Sequence, residues 1–486
     1  MDARSHAAVA PLSEQSALDV EAASWAEQWA VQEVCHELFF PEHMLSAPQP
    51  ITLWALDQAI ASFPVRAGLG AHRLATRAIQ RLPIAARMLL IHILLAAEWL
   101  GGWTAACNLV LIVLLPKLYG AGCDPSASSP LFRARMRTRA SAAPAWEAAR
   151  ALPSAFGSAG RGAQRAAWAA AFAAEASATS AHQHVASLLD LVGVLEPVPR
   201  RLVAAAAARL CFDLIALRPS LAAYRLARAI GRDLFFATLE LQMLLHESVL
   251  IASRRWHSLR LYLCVDDLTI VASDFSEEAL VAVARGTSFF VGMFGRCLKL
   301  AVSASKSFAV ASRPSLAASL SRMFQRRLLV PKCSVKMLGT AYAGGRARAV
   351  GVFKARLKQF KIRIPRVHAL RRHRVDTARV VKAIGGPCML RGMDIIGASS
   401  THQHSVRVAA LCAALPPGTS RNVDVAFAVL DAGGAALDPA YAARATPLRH
   451  WGVAHWQEWA PAPEPDHAFD ESGTRQEKVE VTGRSP

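Results

Sequence analysis

Two adjacent aspartates, Asp266 and Asp267, interrupt the most strand-like stretch of the sequence, residues 259–273 (LRLYLCVDDLTIVAS). The runs on either side have the aliphatic and aromatic composition of buried β-strands. Ionised carboxylates in the middle of a buried strand would each cost several kcal/mol of folding free energy. The pair is therefore predicted to lie at the tip of a β-hairpin, so the fold must include a sheet that carries these acids at one end.

Length and composition place the chain among folded proteins with a sizeable core. Its 486 residues are 53% hydrophobic and 19% charged, which predicts a globular protein of about two to four folding units and argues against a disordered chain. The nine cysteines are widely spaced and form no C-x-x-C pair, so neither a disulfide framework nor a zinc cluster is indicated. We therefore expect an intracellular protein, nuclear or cytoplasmic.

Two segments bear on secretion and on membranes. The first residues, MDARSHAAVAPLSEQ, lack the charged and then apolar pattern of a signal peptide. The longest apolar stretch, residues 88–115, is interrupted by Glu98 and contains two glycines. It predicts no stable membrane insertion, and a helical membrane-associated protein stays open only as an alternative hypothesis.

Positive charge is concentrated in one window of the chain. Residues 321–390, here called the basic window, contain eighteen Lys and Arg and one acid, Asp376, which gives +17 of the formal net charge of +19. Charge of a single sign without interspersed acids predicts a face that follows the phosphates of a nucleic acid. A solvated helix face without such a partner is the alternative.

Hydrophobic periodicity divides the chain into helices and short strands. Residues 25–40 predict an amphipathic helix within an acidic N-terminal extension, and the Pro- and acid-rich residues 461–486 are predicted to be disordered. Further helices are predicted at 72–98, where Pro83 opens a second helix, at 145–151, 161–176, 200–232 with a break at Pro219, and 277–294. Strands are predicted at 109–115, 185–192, 298–310 and 334–342.

Three of these strand elements carry charged residues that could form one site. The strand at 185–192 holds Asp190, the hairpin tip holds Asp266 and Asp267, and the strand at 298–310 holds Lys306. Carboxylates from separate strands of one sheet suit two Mg²⁺ ions that bridge the attacking and leaving oxygens of a phosphoryl transfer. A nearby lysine would stabilise the developing charge of a triphosphate. Each signal alone is also ordinary turn or core chemistry.

The order of these segments resembles that of the reverse transcriptases of LINE-type (non-long-terminal-repeat) retroelements. The similar segments are LLDLVGVLEPV at 188–198, LYLCVDDLTIVAS at 261–273, LKLAVSASKSFAV at 298–310 and SVKMLGTAYAG at 334–344. In that order they resemble the palm strand with the first metal-binding Asp, the Tyr-x-Asp-Asp hairpin, the Lys-bearing strand and the Leu-Gly primer-grip region. Upstream, SFPVRAGLGAHRL at 62–74 and WTAACNLVLIVLLPK at 103–117 resemble the start of the fingers.

The resemblance covers about residues 50–460 and implies an α+β right-hand polymerase, helix-rich overall, with an antiparallel palm sheet backed by helices. The implied regions are an acidic helical extension at 1–60, fingers at 61–180, palm at 181–345, a basic thumb-like helical region at 346–460 and a disordered tail at 461–486.

The same resemblance implies a role for each candidate residue. Asp190, Asp266 and Asp267 would be the catalytic carboxylates that bind Mg²⁺ or Mn²⁺. Lys306 would face the phosphates, and Lys117 would lie near the template or the triphosphate. The implied partners are an RNA template, a DNA primer and deoxynucleoside triphosphates.

The sequence departs from this family at positions that matter for nucleotide binding. Leu195 stands where the family has an aromatic residue that excludes the 2′-hydroxyl, and Cys264 replaces the Tyr of the hairpin. No glycine lies between Gly231 and Gly286, where the family's glycine loop would let backbone approach the template. We therefore expect a divergent or partly degraded copy. Two hypotheses stay open: an RNA-directed DNA polymerase, intact or impaired, and a non-catalytic nucleic-acid-binding remnant of one.

Overall fold

The computed structural model describes residues 47–64, 75–101, 111–116, 123–128, 130–150, 152–157, 161–192, 200–227, 237–345, 349–416, 422–431 and 437–459. The chain divides into two units, each assembled from separate stretches of sequence. The helical unit is Met1–Leu152, Val192–Glu247 and Phe294–Ala301, and the sheet unit is Pro153–Leu191, Ser248–Met293 and Val302–Pro486.

Helices predominate in the described residues, and short strands form small sheets. The helices are α1 (Leu53–Ala61), α2 (Ile84–Leu100), α3 (Pro130–Thr138), α4 (Ala142–Arg150), α5 (Gly162–Thr179), α6 (Arg200–Arg209), α7 (Leu214–Ala227), α8 (Ala237–Arg255), α9 (Glu278–Gly292), α10 (Pro314–Met323), α11 (Gly351–Arg372), α12 (Thr377–Val380), α13 (Gly386–Leu390), α14 (Met393–Ile396), α15 (Ser400–Ala414), α16 (Val423–Asp431) and α17 (Pro439–Trp456). The strands are β1 (Leu111–Pro116), β2 (Cys123–Ser128), β3 (Gln183–Asp190), β4 (Arg260–Cys264), β5 (Asp267–Asp274), β6 (Phe308–Ala311), β7 (Val330–Lys332), β8 (Ser334–Met337) and β9 (Thr340–Ala343). The predicted α+β class is confirmed.

The sheet unit is built on a five-stranded sheet in the order β4-β5-β3-β6-β7. Its pairs are antiparallel except β6 and β7, which run parallel. The expectation of an antiparallel sheet is therefore wrong at this one pair. The reason is the crossover through α10, which returns the chain to the same end of the sheet before β7 begins.

The inner edge of the β4–β5 ribbon is paired, and its outer edge is covered at Leu263. β5 pairs with β3, and the outer edge of β4 is covered by the chain at residues 154–156. The N–H of Phe156 donates to the carbonyl oxygen of Leu263 (2.7 Å). The N–H of Leu263 donates to the carbonyl oxygen of Ser154 (2.8 Å). At Leu263, the outer edge of β4 therefore has no unpaired backbone N–H or carbonyl group.

The β8–β9 hairpin packs on the same face of the sheet as α5. Val335, Met337 and Tyr342 of the hairpin share a buried cluster with alanines of α5 and with Leu188 of β3. The hydroxyl of Tyr342 lies 2.7 Å from Nε2 of the buried His184. Burial lowers the pKa of His184 to about 3, so this ring is neutral and serves as an internal anchor for the hairpin.

The helical unit contains a buried ion cluster. Glu98 on α2 and Arg135 on α3 are both fully buried, and Nε of Arg135 donates to Oε1 of Glu98 (2.9 Å). Nε of Arg139 also donates to Oε1 of Glu98 (2.8 Å). The acid that interrupts the apolar stretch 88–115 is therefore neutralised inside the unit. Among the described residues, none of the helices is both long and apolar enough to cross a bilayer.

The predicted break at Pro219 is wrong, because α7 runs through this proline. The helix instead begins after Asp213, whose Oδ1 accepts from the N–H of Ala216 (3.1 Å). Proline lacks the N–H that would bond to the carbonyl four residues earlier, which here belongs to Ile215. Nη2 of Arg135 donates to that carbonyl oxygen (3.3 Å), so a long-range partner compensates for the proline.

Two predicted strands are also interrupted. The segment 298–310 is a regular strand only from Phe308, because a turn at residues 304–306 separates β6 from an isolated antiparallel bridge between Val302 and Leu191. The N–H of Lys306 donates to the carbonyl oxygen of Ser303 (3.3 Å) across this turn. Short polar side chains such as serine favour such turns over a regular ladder. The segment 334–342 is a hairpin, since Leu338 and Gly339 both have positive φ angles of 49° and 84°. Such angles turn the chain in two residues.

Other predicted elements are found close to their predicted positions. Strands at 109–115 and 185–192 correspond to β1 and β3, and the alanine-rich stretches form α4 and α5. The helix predicted at 277–294 is α9. The predicted helix at 25–40 and the predicted disorder at 461–486 lie outside the described residues. The fingers, palm and thumb boundaries stay predictions.

Candidate active site

Asp190 and Asp267 are direct neighbours on the sheet. β3 and β5 run antiparallel, with Asp190 as the Cα partner of Asp267. Opposite residues of an antiparallel pair point to the same face, which here is the face of Leu188 and the cluster beneath α5. The two acids therefore lie side by side where this apolar face ends.

Asp266 occupies the turn next to this pair. Cys264 pairs with Asp267, which leaves Val265 and Asp266 as a two-residue loop, so the predicted hairpin tip is confirmed. The N–H of Leu191 donates to the carbonyl oxygen of Asp266 (3.3 Å) and ties the turn to the end of β3. Val265 has a φ of 58°, a left-handed conformation that costs about 1–2 kcal/mol in an L-residue.

Lys306 reaches the same acids from a turn and not, as predicted, from within a strand. Its Nζ lies 3.9 Å from Oδ2 of Asp190, and its side chain is 72% exposed. The hydroxyl of Ser307 accepts from the N–H of Asp190 (3.1 Å) and fixes the turn against β3. An ion pair this exposed adds little stability, so the lysine can exchange the carboxylate for another anion at little cost.

The three carboxylates repel one another. Burial raises the pKa of Asp267 to about 7, and the negative charges of Asp266 and Asp190 add to the rise while Lys306 opposes it. Burial also raises the pKa of Asp190, with Lys306 opposing and Asp266 reinforcing the shift. Burial, together with the charges of Asp267 and Asp266, raises the pKa of the Cys264 thiol to about 11. The site thus carries more negative charge than its own groups neutralise.

A cleft of about 400 Å³ opens over Asp190 and Asp267. Its lining joins these acids and Lys306 to Lys336 of β8 and to the Leu338–Gly339 turn. Lys336 is exposed. The cleft therefore has carboxylates on its sheet side and two lysines around it, a charge pattern suited to a cation together with a phosphate.

The Leu338–Gly339 turn is held in place by arginines from the helical region that follows. Arg356 of α11 donates to the carbonyl oxygens of Gly339 and Arg391. A Cβ at Gly339 would lie only 3.2 Å from Nε of Arg391, so glycine permits this close approach. The position of one wall of the cleft therefore depends on α11.

Sequence reasoning missed Lys336, Ser307 and Arg356. The alternation in SVKM, with Val335 and Met337 buried, was a signal that Lys336 faces outward. Arg356 and Ser307 carry no local signal, because their partners are 17 and 117 residues away along the chain.

The acids are of the residue type that binds a divalent cation, but their side chains are not arranged as a complete metal site. Oxygen ligands suit Mg²⁺, and a cation would relieve the repulsion that raises the pKa of Asp267. Within the described part of the chain, however, no three His, Cys, Asp or Glu side chains are grouped as a ready metal site. Asp190, Asp266 and Asp267 therefore supply suitable ligands without a closed cage.

The basic window presents its charge to solvent. Its described Lys and Arg side chains are exposed apart from Arg356 and Arg371, which are half-buried. None of the ion pairs among the described residues involves a Lys or Arg of this window. Its single acid, Asp376, caps α12 by accepting from the N–H of Arg379 (3.1 Å). The window is thus an unneutralised cationic surface, much of it on α11.

Comparison with known proteins adds no identification. No family model matches the sequence, and no curated protein matches it either. Of the residues singled out from sequence, Asp190, Asp267 and Lys306 line one cleft, Asp266 lies on the adjoining turn, and Lys117 lies outside the described residues.

Proposed function

We propose that the protein is an RNA-directed DNA polymerase domain of the kind found in LINE-type retroelements, acting by two-metal nucleotidyl transfer. The observation that carries the proposal is the pairing of Asp190 with Asp267 on neighbouring strands, with Asp266 on the turn between β4 and β5. Acids far apart in sequence thus meet at one end of a sheet, as such chemistry requires.

In this proposal Asp190, Asp266 and Asp267 hold Mg²⁺ or Mn²⁺. The ions would supply Lewis-acid stabilisation of the attacking and leaving oxygens. Lys306 would leave Asp190 and donate to the triphosphate, since its side chain is largely exposed. Lys336, across the same cleft, would stabilise a second phosphate.

The proposed polymerase has the organisation of a right hand. Residues 61–180 would form the fingers, residues 181–345 the palm and residues 346–460 the thumb. The exposed cations of α11 would follow the backbone of an RNA template and a DNA primer, and deoxynucleoside triphosphates would enter the acidic cleft.

The second candidate is a non-catalytic nucleic-acid-binding protein with the same basic surface. Two observations favour it: the described acids form no ready three-ligand group, and Lys306 lies within ion-pair distance of Asp190. This candidate needs the basic window but not the acidic cleft, so the two candidates differ in a measurable way.

Primer extension tests the proposal. The full chain is supplied with an RNA template, an annealed DNA primer, deoxynucleoside triphosphates and either Mg²⁺ or Mn²⁺. We expect extension by the unaltered chain and a loss of at least about 100-fold in Asp266→Asn, because a lost metal ligand removes several kcal/mol of charge stabilisation. Asp274→Asn, at the opposite end of β5, is the matched control and should extend normally.

The outcomes separate the two candidates. Undiminished extension by Asp266→Asn would refute the assignment of the metal ligands. Binding of the primer–template without extension by the unaltered chain, in either metal, would instead favour the non-catalytic protein.

A further inference from the structure

Three arginines surround Phe63 at the C-terminal end of α1 in the helical unit. The guanidinium carbons of Arg133 and Arg137, both on α3, lie 5.5 and 3.7 Å from the centre of the Phe63 ring. Nε of Arg77 donates to the carbonyl oxygen of Phe63 (2.8 Å), and Nη2 of Arg77 donates to the carbonyl oxygen of Ala61 (2.8 Å). We call Arg77, Arg133 and Arg137 the arginine cluster.

Capping of α1 accounts for only part of this cluster. The last carbonyls of a helix need donors, and Arg77 serves the carbonyls of Ala61 and Phe63. Nη1 of Arg137 donates to the hydroxyl of Ser62 (2.6 Å), which already donates to the carbonyl oxygen of Ala59 (2.6 Å). Arg133 makes its ring contact and no hydrogen bond from its side chain within the described residues. Capping of α1 therefore requires Arg77 but not Arg133 or Arg137.

The positive charge of the cluster is not balanced within the described part of the protein. No described acid forms an ion pair with Arg77, Arg133 or Arg137. Arg133 and Arg137 stand one helical turn apart, where like charges repel. Burial lowers the pKa of Arg137, and the charge of Arg133 lowers it further.

We propose that the arginine cluster is a binding site for a phosphoryl group. Planar guanidinium groups bind phosphate oxygens through paired hydrogen bonds, and stacking on Phe63 holds two of them in place before the ligand arrives. The phosphoryl group could belong to a nucleic-acid backbone or to a free polyphosphate chain. This site uses none of the acids of the cleft, so it stands whether or not the protein is a polymerase.

Binding measurements on the full chain test the site. The probes are sodium tripolyphosphate and a single-stranded RNA oligonucleotide, each titrated by calorimetry at several salt concentrations. The test variant replaces Arg133 and Arg137 by Gln, and the control is Arg150→Gln, an exposed arginine at the end of α4 in the same unit.

We expect the double variant to bind at least one probe about tenfold more weakly than the control does. If the oligonucleotide is the ligand, the slope of log K against log salt should fall by about 0.7 for each phosphate that the variant no longer neutralises. Weakening with the oligonucleotide alone would assign the site to a nucleic-acid backbone. Weakening with tripolyphosphate, alone or with the oligonucleotide, would assign it to the phosphoryl group itself.

Equal binding of both probes by the unaltered chain, the control and the double variant would overturn the proposal. The single variant Arg133→Gln guards against misfolding, because Arg133 makes no side-chain hydrogen bond in the described residues. It should keep the melting temperature of the unaltered chain and still lose part of the binding. Arg133→Lys, which retains charge without the planar fork, should be intermediate.

Discussion

At the scale of single residues, ionised Asp267 carries an energetic cost that comes from burial and from the neighbouring acids. Burial beside Asp266 and Asp190 raises its pKa to about 7, far above the value of an acid in an unfolded chain. The folded protein therefore binds this proton more tightly than the unfolded one does, and stability falls as pH rises from about 4 to about 7. The same crowding makes the position receptive to a cation.

Asp267→Asn should remove this pH dependence. We expect the variant to be more stable than the unaltered chain at pH 8 and to differ little from it at pH 4, since the unaltered acid is neutral there. Thermal unfolding between pH 4 and pH 8 measures the effect. Equal slopes of stability against pH in the two proteins would show that Asp267 is not the titrating group.

At the scale of elements, Arg135 joins three helices of the helical unit. It pairs with Glu98 on α2, extends from α3, and donates to the carbonyl of Ile215 that Pro219 leaves without a partner in α7. Arg135 explains why Glu98 is tolerated in an apolar helix and why Pro219 is tolerated inside a continuous helix. One buried cation therefore makes two unfavourable sequence features tolerable.

Glu98→Gln should destabilise the protein by about 3–5 kcal/mol, because it leaves a buried guanidinium without its counter-charge. Asp57→Asn is the matched control, since Asp57 pairs with Arg87 in a partly exposed ion pair, and we expect a loss below about 1 kcal/mol. Urea unfolding followed by circular dichroism measures both. Similar small losses would mean that Arg135 finds other partners.

These elements also show what the sequence could predict. The hairpin tip at Asp266 was predictable, because the cost of burying paired charges acts locally. The break placed at Pro219 was wrong, because the arginine that replaces its hydrogen bond lies 80 residues away from Ile215. The strand placed at 298–310 starts too early, because the turn at residues 304–306 separates β6 from the bridge between Val302 and Leu191. Local energies were predictable from sequence, whereas the distant arginine that compensates for Pro219 was not.

At the scale of the whole molecule, charge is separated along the chain. The cleft concentrates acids whose pKa values are raised by burial and by one another, while the basic window that follows in sequence is exposed and without described ion pairs. A polyanion would bind the exposed cations strongly and with a marked dependence on salt, because binding releases condensed counterions.

Neutralising part of α11 should reduce that salt dependence. We expect Lys358→Gln with Lys361→Gln to weaken binding of single-stranded RNA and to lower the slope of log K against log salt by about 1.4, at about 0.7 for each phosphate neutralised. Arg254→Gln with Arg285→Gln removes the same charge from exposed positions outside the basic window. Fluorescence anisotropy across a salt series compares them, and equal slopes would exclude α11 as the contact surface.

The short segment beside β4 has a practical consequence for making fragments of this protein. Without Ser154 and Phe156, the amide and carbonyl of Leu263 would face solvent on an apolar ribbon, which is the kind of exposed border that recruits strands from other copies. A shortened protein that starts after residue 157 would thus expose a strand edge that favours aggregation. Excision upstream of Pro153 would leave that border shielded.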